Sequence, residues 1–250
     1  MDGTNVAYRS MLGAPKYAPV TTLRGEIGSS AMESRIMETR IKYIKYAVEQ
    51  GENSLLARIT DEFMYKKKSK WSITSLEYLK CADIPYRKLK ETSKNEIKGK
   101  INKWDTMKWR EEMDAKSSLA IYRQYKTTIG GEDRAYDNRP SSIILYKARA
   151  NVLPLNDRNR FQNPNASTIC SICNNGVEDL AHFILWCSAF SHVRENDAYL
   201  QQPYIEDKNL LIGNYLFKNE DVDKVKTTLY KFYSIRTKKL KTVADANTAQ

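Results

Sequence analysis

The feature that most constrains this chain is a run of eighteen residues, Cys170-Ser-Ile-Cys173-Asn-Asn-Gly-Val-Glu-Asp-Leu-Ala-His182-Phe-Ile-Leu-Trp-Cys187. Its pattern is C-x2-C, eight residues, then H-x4-C. Two thiolates separated by two residues can share a metal ion because the turn between them aims backbone amides at the sulfurs, and Asn174, Asn175 and Gly176 suit such a turn. His182 and Cys187 would complete a tetrahedron. With all four positions taken by protein donors, the site predicted is closed and structural, holding one Zn2+, because a catalytic zinc keeps a position for water. A span this short builds no core of its own, so the ion would stand in for one. The competing reading makes the three cysteines small core hydrophobes and His182 a hydrogen-bonded histidine. His192 is a second candidate for the histidine position. Cys81, far away in sequence, reads as a plain core or surface thiol.

The register of the second half is awkward. On an ideal α-helix, five residues turn about 140° past a full circle, so Cys187 cannot lie directly above His182. A frayed or tightened helix end is therefore expected there. Leu180, Phe183, Ile184 and Trp186 are left to pack.

Clustering of three of the four cysteines points to metal in a reducing compartment and not to the disulfide framework of a small secreted domain. No stretch approaches the roughly 18 apolar residues of a spanning helix, and the N-terminus lacks a charged-then-apolar signal pattern. An intracellular, nuclear place and no membrane partner are expected. The chain has 250 residues, 41% of them hydrophobic and 10% aromatic, enough for a buried core.

Helical periodicity dominates the rest. Met37, Ile41, Ile44 and Val48 repeat at helical spacing up to a stop at Gly51. Further helices are expected over Ser54 to Tyr65, over Ser72 to Lys80 with a cap at Ser72, and through residues 87 to 126. Pro85, Asn138, Arg139 and Pro140 mark breaks. A short apolar helix over Ile143 to Ala150 leads to a polar loop, Asn156 to Ala166. The last helix, Val222 to Leu240, carries the stripe Val222, Val225, Leu229, Phe232 and Ile235, with Val243 to Gln250 as a frayed tail. The fold class expected is mainly α: a helical array with a small CCHC zinc-binding hairpin near the C-terminus, packed against the last helix. The expected divisions are a loop-rich connection over 1–30 with one short helix around Val6 to Leu12, a basic helical region over 31–140, the zinc-binding module over 141–200, and a basic helix with its tail over 201–250.

Lys+Arg number 41 against 30 Asp+Glu, a formal charge of +11, which favours polyanionic partners. The excess is local. From Glu178 to Asp207 six acids, among them Glu195, Asp197 and Glu206, face Arg194 alone, whereas Met64 to Lys126 holds seventeen bases against eight acids. Val222 to Val243 holds seven bases against Asp223. The candidate nucleic-acid contacts are Lys66, Lys67, Lys68 and Lys70, running into Trp71 as a possible base platform; Arg158 and Arg160 before the cysteines; and Lys238 and Lys239 in the last helix. A solvated charged face is the alternative for the lysine run, and Trp104, Trp109, Tyr122 and Tyr125 read as core.

No adjacent aspartate pair, phosphate-cradling loop, G-x-S-x-G or H-E-x-x-H occurs, so no enzymatic chemistry of its own is expected.

Several segments together resemble the C-terminal part of non-LTR (LINE-type) retrotransposon reverse transcriptases. They are Tyr8-Arg-Ser-Met-Leu-Gly-Ala-Pro15 with Leu23-Arg-Gly-Glu-Ile-Gly28, which resemble the region after the thumb; Trp109 with Lys116-Ser-Ser-Leu-Ala-Ile-Tyr122; and Leu145 to Leu155. The most specific is Cys170-x2-Cys173, Glu178-Asp-Leu-Ala-His182 and Cys187-Ser-Ala-Phe190 with Arg194, which is similar to that family's zinc-binding domain. The resemblance implies Cys170, Cys173, His182 and Cys187 as ligands and a non-catalytic role in holding template RNA or target DNA, with a polymerase domain supplied in cis or in trans. It further implies a truncated element, a fragment or a co-opted gene product. A zinc-dependent protein-interaction module that docks on a polymerase or host factor is the other reading carried forward.

Overall fold

The computed structural model describes residues 3–130, 135–137, 139–161, 163–201 and 207–248. It is mainly helical, and among the described residues the only β feature is an isolated antiparallel bridge between Ile169 and Val177. The chain divides into two compact units, one made of Met1–Ile27 with Asp114–Gln250 and the other of Gly28–Met113.

The second unit holds α3 (Met32–Glu49), α4 (Leu55–Lys66), α5 (Lys70–Cys81) and most of α6 (Lys94–Asp114), whereas α1 (Gly3–Leu12) and α2 (Val20–Ile27) precede them in the first. The expected stripe of α3 is real: Met37, Ile41 and Ile44 are fully buried and meet Met64, Leu79, Ile97 and Ile101 of the other three helices. Gly51, at φ +87°, follows α3 in a backbone state that disfavours side chains. Ser69, not Ser72, caps α5, its hydroxyl accepting the Ser72 N–H at 3.0 Å. Buried Asp105 fastens α6 to the start of α3 by accepting from the Ser34 hydroxyl at 2.8 Å and the Ala31 N–H at 3.3 Å. Trp71 packs half-buried against this core, and Trp109 is fully buried.

The first unit adds α7 (Ala120–Tyr125), α8 (Pro140–Arg149), α9 (Ser191–Arg194), α10 (Lys208–Gly213) and α11 (Val222–Thr248). Residues 1–30, expected as loop with one short helix, contain two. Gly13 at φ +56°, Pro19 and Gly28 at φ +78° stand at helix ends and not in coil. Leu12, Ala18 and Leu23 bury against Tyr146, Ala150 and Val152, which joins the N-terminal segment to the C-terminal half. Beneath them Arg149 donates to the Leu216 carbonyl at 2.9 Å and lies 3.5 Å from Glu26, which also accepts from the Tyr136 hydroxyl at 2.5 Å.

Residues 87–126 are helical for the most part, as expected, in separate pieces: α6 ends at Asp114, and a 3-10 turn over Ser117–Leu119 precedes α7. The tail expected from Val243 is helical as far as Thr248, while Ala249 and Gln250, like the break expected at Asn138, lie outside the described residues. Along α11, Val225, Leu229 and Phe232 are buried against a core that includes Ile144, Leu145, Phe183, Ile184 and Phe190. Val222 and Ile235 flank this stripe half-buried.

Candidate metal centre and basic surfaces

The candidate metal centre begins with a turn. The Cys170 N–H donates to the Gly176 carbonyl at 3.0 Å, the Asn174 N–H returns to the Cys170 carbonyl at 2.8 Å, and the Glu178 N–H reaches the Thr168 carbonyl at 2.8 Å. The chain reverses through Asn174 at φ +55° and Gly176 at φ +78°, the left-handed states that Asn and Gly tolerate best. A Cβ on Gly176 would lie 3.6 Å from Nδ1 of His182, so the turn runs close beneath the imidazole.

The second half starts at Asp179, whose carboxylate accepts the His182 N–H at 2.7 Å and caps the following turn. That turn, His182–Trp186, is a π-helix, and the Cys187 N–H donates to the carbonyl of His182 at 2.8 Å. The frayed or tightened end expected from the spacing is replaced by a widened one. Bonding from i+5 to i brings Cys187 back over His182, which an α-helix does not do.

Four ligand atoms converge. Cys170, Cys173, His182 and Cys187 each present one, all within 4.8 Å of one another. The Sγ atoms of Cys170 and Cys187 are 3.9 Å apart, and Sγ of Cys173 is 3.3 Å from Nε2 of His182. A tetrahedron with metal–sulfur bonds of about 2.3 Å and metal–nitrogen bonds of about 2.0–2.1 Å has edges of about 3.8 Å and about 3.5 Å. The cluster therefore has the dimensions of a Cys3His metal site. Burial pushes the Cys170 thiol up and the Cys187 thiol up to about 12. Burial raises Cys173 too, but the Asn175 amide and the neighbouring thiols outweigh it and its thiol is lowered. Burial also holds His182 below its ordinary value, against the pull of Asp179 and Glu178, which favours the neutral ligand form. Two sulfurs so costly to ionise alone are suited to a dipositive ion, which deprotonates its thiol ligands. His192, the alternative ligand, is exposed on α9 and is not one of the four.

Charged residues that were not singled out as site residues support these ligands. Glu178 is buried beside Cys170, its Oε1 3.8 Å from the sulfur. It accepts from Nε and Nη2 of Arg236 on α11, both at 2.7 Å, and from the Asn156 N–H at 2.8 Å. Arg194 donates to the Cys187 carbonyl at 2.7 Å. Trp186, expected to pack, is 56% exposed, with Nζ of Lys208 5.7 Å from its ring centre.

The expected basic contacts separate. Lys66, Lys67, Lys68 and Lys70 are exposed from the end of α4 through the turn to the start of α5, Lys66 being paired with Glu62. They belong to the unit that lacks the four clustered ligands. The guanidinium carbons of Arg158 and Arg160 lie over the ring of Phe161, 5.7 Å and 5.1 Å from its centre. Two of the seven bases of α11 are internal: Arg236 on Glu178, and Lys226 between Asp137 at 3.2 Å and Asp223 at 2.7 Å. Lys238 and Lys239 are exposed. Lys224, Lys231 and Lys238 line one groove of about 750 Å³ with His192, Thr227 and Asn196, and Asp221 and Asp223 border it. Their seven-residue spacing was readable as a single helix face. Glu206, counted among the acids after Glu178, lies outside the described residues.

No helix among the described residues is long and apolar enough to cross a membrane. Comparison with protein-family models, with curated proteins and with solved structures finds no match for this chain.

Proposed function

We propose that this chain is a non-catalytic nucleic-acid-binding module stabilised by one structural zinc ion, of the kind carried by the C-terminal part of non-LTR retrotransposon reverse transcriptases. In this reading the CCHC hairpin fixes the local fold and basic helices hold template RNA or target DNA for a polymerase domain. The observation that carries it is the groove along α11: three exposed lysines in one row, on the helix that clamps the metal hairpin through Arg236. At a rise of about 1.5 Å per residue the row extends about 21 Å, long enough to follow several phosphates. Zinc, among metals, suits three thiolates and an imidazole in a closed tetrahedron.

The test joins elemental analysis to binding. About one zinc per chain, with affinity for single- or double-stranded nucleic acid that falls steeply with salt, supports the reading. Affinity independent of salt would sink it.

One observation favours the interaction-module reading. Leu55, Ile59 and Phe63 of α4 stand four residues apart and are 70%, 41% and 48% exposed, an apolar strip suited to a protein partner. Partner binding that survives charge reversal of Lys66 to Lys70 would favour this alternative.

A further inference from the structure

The loop that leads into the cysteines forms a 3-10 helix, Asn156–Phe161, and the metal hairpin holds its start. Besides the Asn156 N–H bond to Glu178, the Asn156 side-chain amide donates to the Ile169 carbonyl at 2.6 Å and to the Ser171 hydroxyl at 2.8 Å. The Asp157 N–H reaches the Glu178 carbonyl at 3.2 Å. At the far end Phe161 is 68% exposed, with the guanidinium groups of Arg158 and Arg160 over its ring.

Beside that ring lies a cavity of about 580 Å³ whose walls include Phe161, Arg158, Lys116, Ser118, Asn151 and Tyr17. Among the described residues no carboxylate lines it. Asp157, next in sequence to Arg158, is 3.7 Å from its Nε, and Asp114 precedes the lining residue Ala115. Tyr17 is anchored by its hydroxyl, which donates to the Val152 carbonyl at 3.3 Å. The volume is within the range of about 300–1,000 Å³ that small-molecule sites span. An aromatic face, hydroxyl and amide groups and two cations are the complement of a flat base, a ribose and a phosphate.

We infer that this cavity receives one nucleotide of a single-stranded nucleic acid, its base against Phe161 and its phosphate paired with Lys116 and Arg158. The inference rests on the nucleic-acid reading above and gives it a subsite.

The experiment uses the zinc-loaded full chain with two probes, a labelled single-stranded oligouridylate and uridine monophosphate, on wild type, Phe161→Ala, Phe161→Trp and Arg158→Lys. Base stacking on an aromatic ring predicts that Phe161→Ala raises the strand's Kd about 5- to 100-fold and Phe161→Trp restores it, the salt slope staying unchanged in both. Arg158→Lys weakens binding of both probes. Phe161 is exposed, so the variants should melt like wild type. Wild-type strand binding that is indifferent to Phe161→Ala overturns the subsite and leaves the nucleic-acid reading standing. No binding of either probe by wild type overturns the subsite, and if labelled duplex DNA also fails to bind in the same assay the nucleic-acid reading falls with it. Monophosphate binding that requires Phe161, without strand binding, retains the cavity for a free nucleotide and removes the strand.

Discussion

The carboxylate of Glu178 receives both Nε and Nη2 of Arg236 at 2.7 Å, across 58 residues of sequence and with each side chain almost wholly buried. This bidentate pair joins the metal hairpin to α11, and Oε1 of the same carboxylate approaches the Cys170 sulfur. Removing one partner strands a charge away from water, which costs roughly 3–5 kcal/mol. Arg236→Met should therefore destabilise the zinc-loaded protein by about that amount in denaturant unfolding and weaken zinc binding about 10- to 100-fold, the usual effect of losing support behind a ligand. The double variant Glu178→Gln, Arg236→Met should recover half or more of the stability, because Gln still accepts from Asn156 and no unpaired charge remains. A double variant no more stable than Arg236→Met would refute the pairing argument.

The metal itself is tested with cobalt, whose visible spectrum reports both thiolate ligation and tetrahedral geometry. Wild type should bind about one Co2+ per chain with an intense thiolate band, and zinc should displace it. Cys170→Ser with Cys173→Ser, or His182→Ala alone, should lose the tetrahedral spectrum, while His192→Ala should keep it, since His192 faces the α11 groove. Chelation should lower the melting temperature and expose Phe183 and Phe190, which are packed edge to face at 5.5 Å beneath the hairpin. Retention of the spectrum in His182→Ala, with its loss in His192→Ala, would reassign the fourth ligand.

Acid should loosen a different joint. Asp137 accepts from the Ser142 hydroxyl near the start of α8 and pairs with Lys226 of α11 at 3.2 Å, and these contacts hold its carboxyl down at about 2, from an ordinary 3.8. A carboxyl depressed by folding contributes stability above its unfolded value, and that contribution is lost as pH falls from about 3.8 towards 2. Asp137→Asn should thus lower stability at neutral pH and flatten the decline of stability between pH 4 and 2. Unfolding curves for the two proteins that stay parallel through this window would show that the contacts contribute nothing to folding.

The parts legible in the sequence were those with short repeats. The stripes of α3 and α11 follow from helical periodicity, and the cluster of Cys170, Cys173, His182 and Cys187 that could hold a metal follows from C-x2-C and H-x4-C, because all four side chains lie within eighteen residues. What was missed depended on distant partners or on local geometry with no residue-type signature. Glu178 entered the sequence reading only through the resembling motif and the acidic run, and Arg236 only as one base of the last helix, since nothing in either neighbourhood announces a mate 58 residues away. The π-turn over His182–Trp186 is invisible to a 3.6-residue period, so the spacing to Cys187 looked strained where the backbone simply widens. In residues 1–30 the glycines and prolines read as coil, yet Gly13, Pro19 and Gly28 punctuate two helices whose Leu12 and Leu23 are buried. Total charge also misled: Lys226 and Arg236 count toward the basic character of α11 but are committed to internal carboxylates.

That last distinction yields a test separating nucleic-acid binding from protein docking. Lys224, Lys231 and Lys238 are exposed on one groove, whereas Lys226, only two residues from Lys224, is buried between Asp137 and Asp223. Each lysine that neutralises a phosphate contributes about 0.9 to the slope of log affinity against log salt for duplex DNA and about 0.7 for a single strand. The triple variant to Ala should therefore flatten the slope by roughly 2 to 3 while leaving the melting temperature near that of wild type. Lys226→Ala should do the reverse, lowering the melting temperature through loss of its pairs with Asp137 and Asp223 with little change in slope. An unchanged slope in the triple variant would remove α11 from the interface and shift attention to the lysines between α4 and α5; an apolar partner on Leu55, Ile59 and Phe63 would be indifferent to all four substitutions.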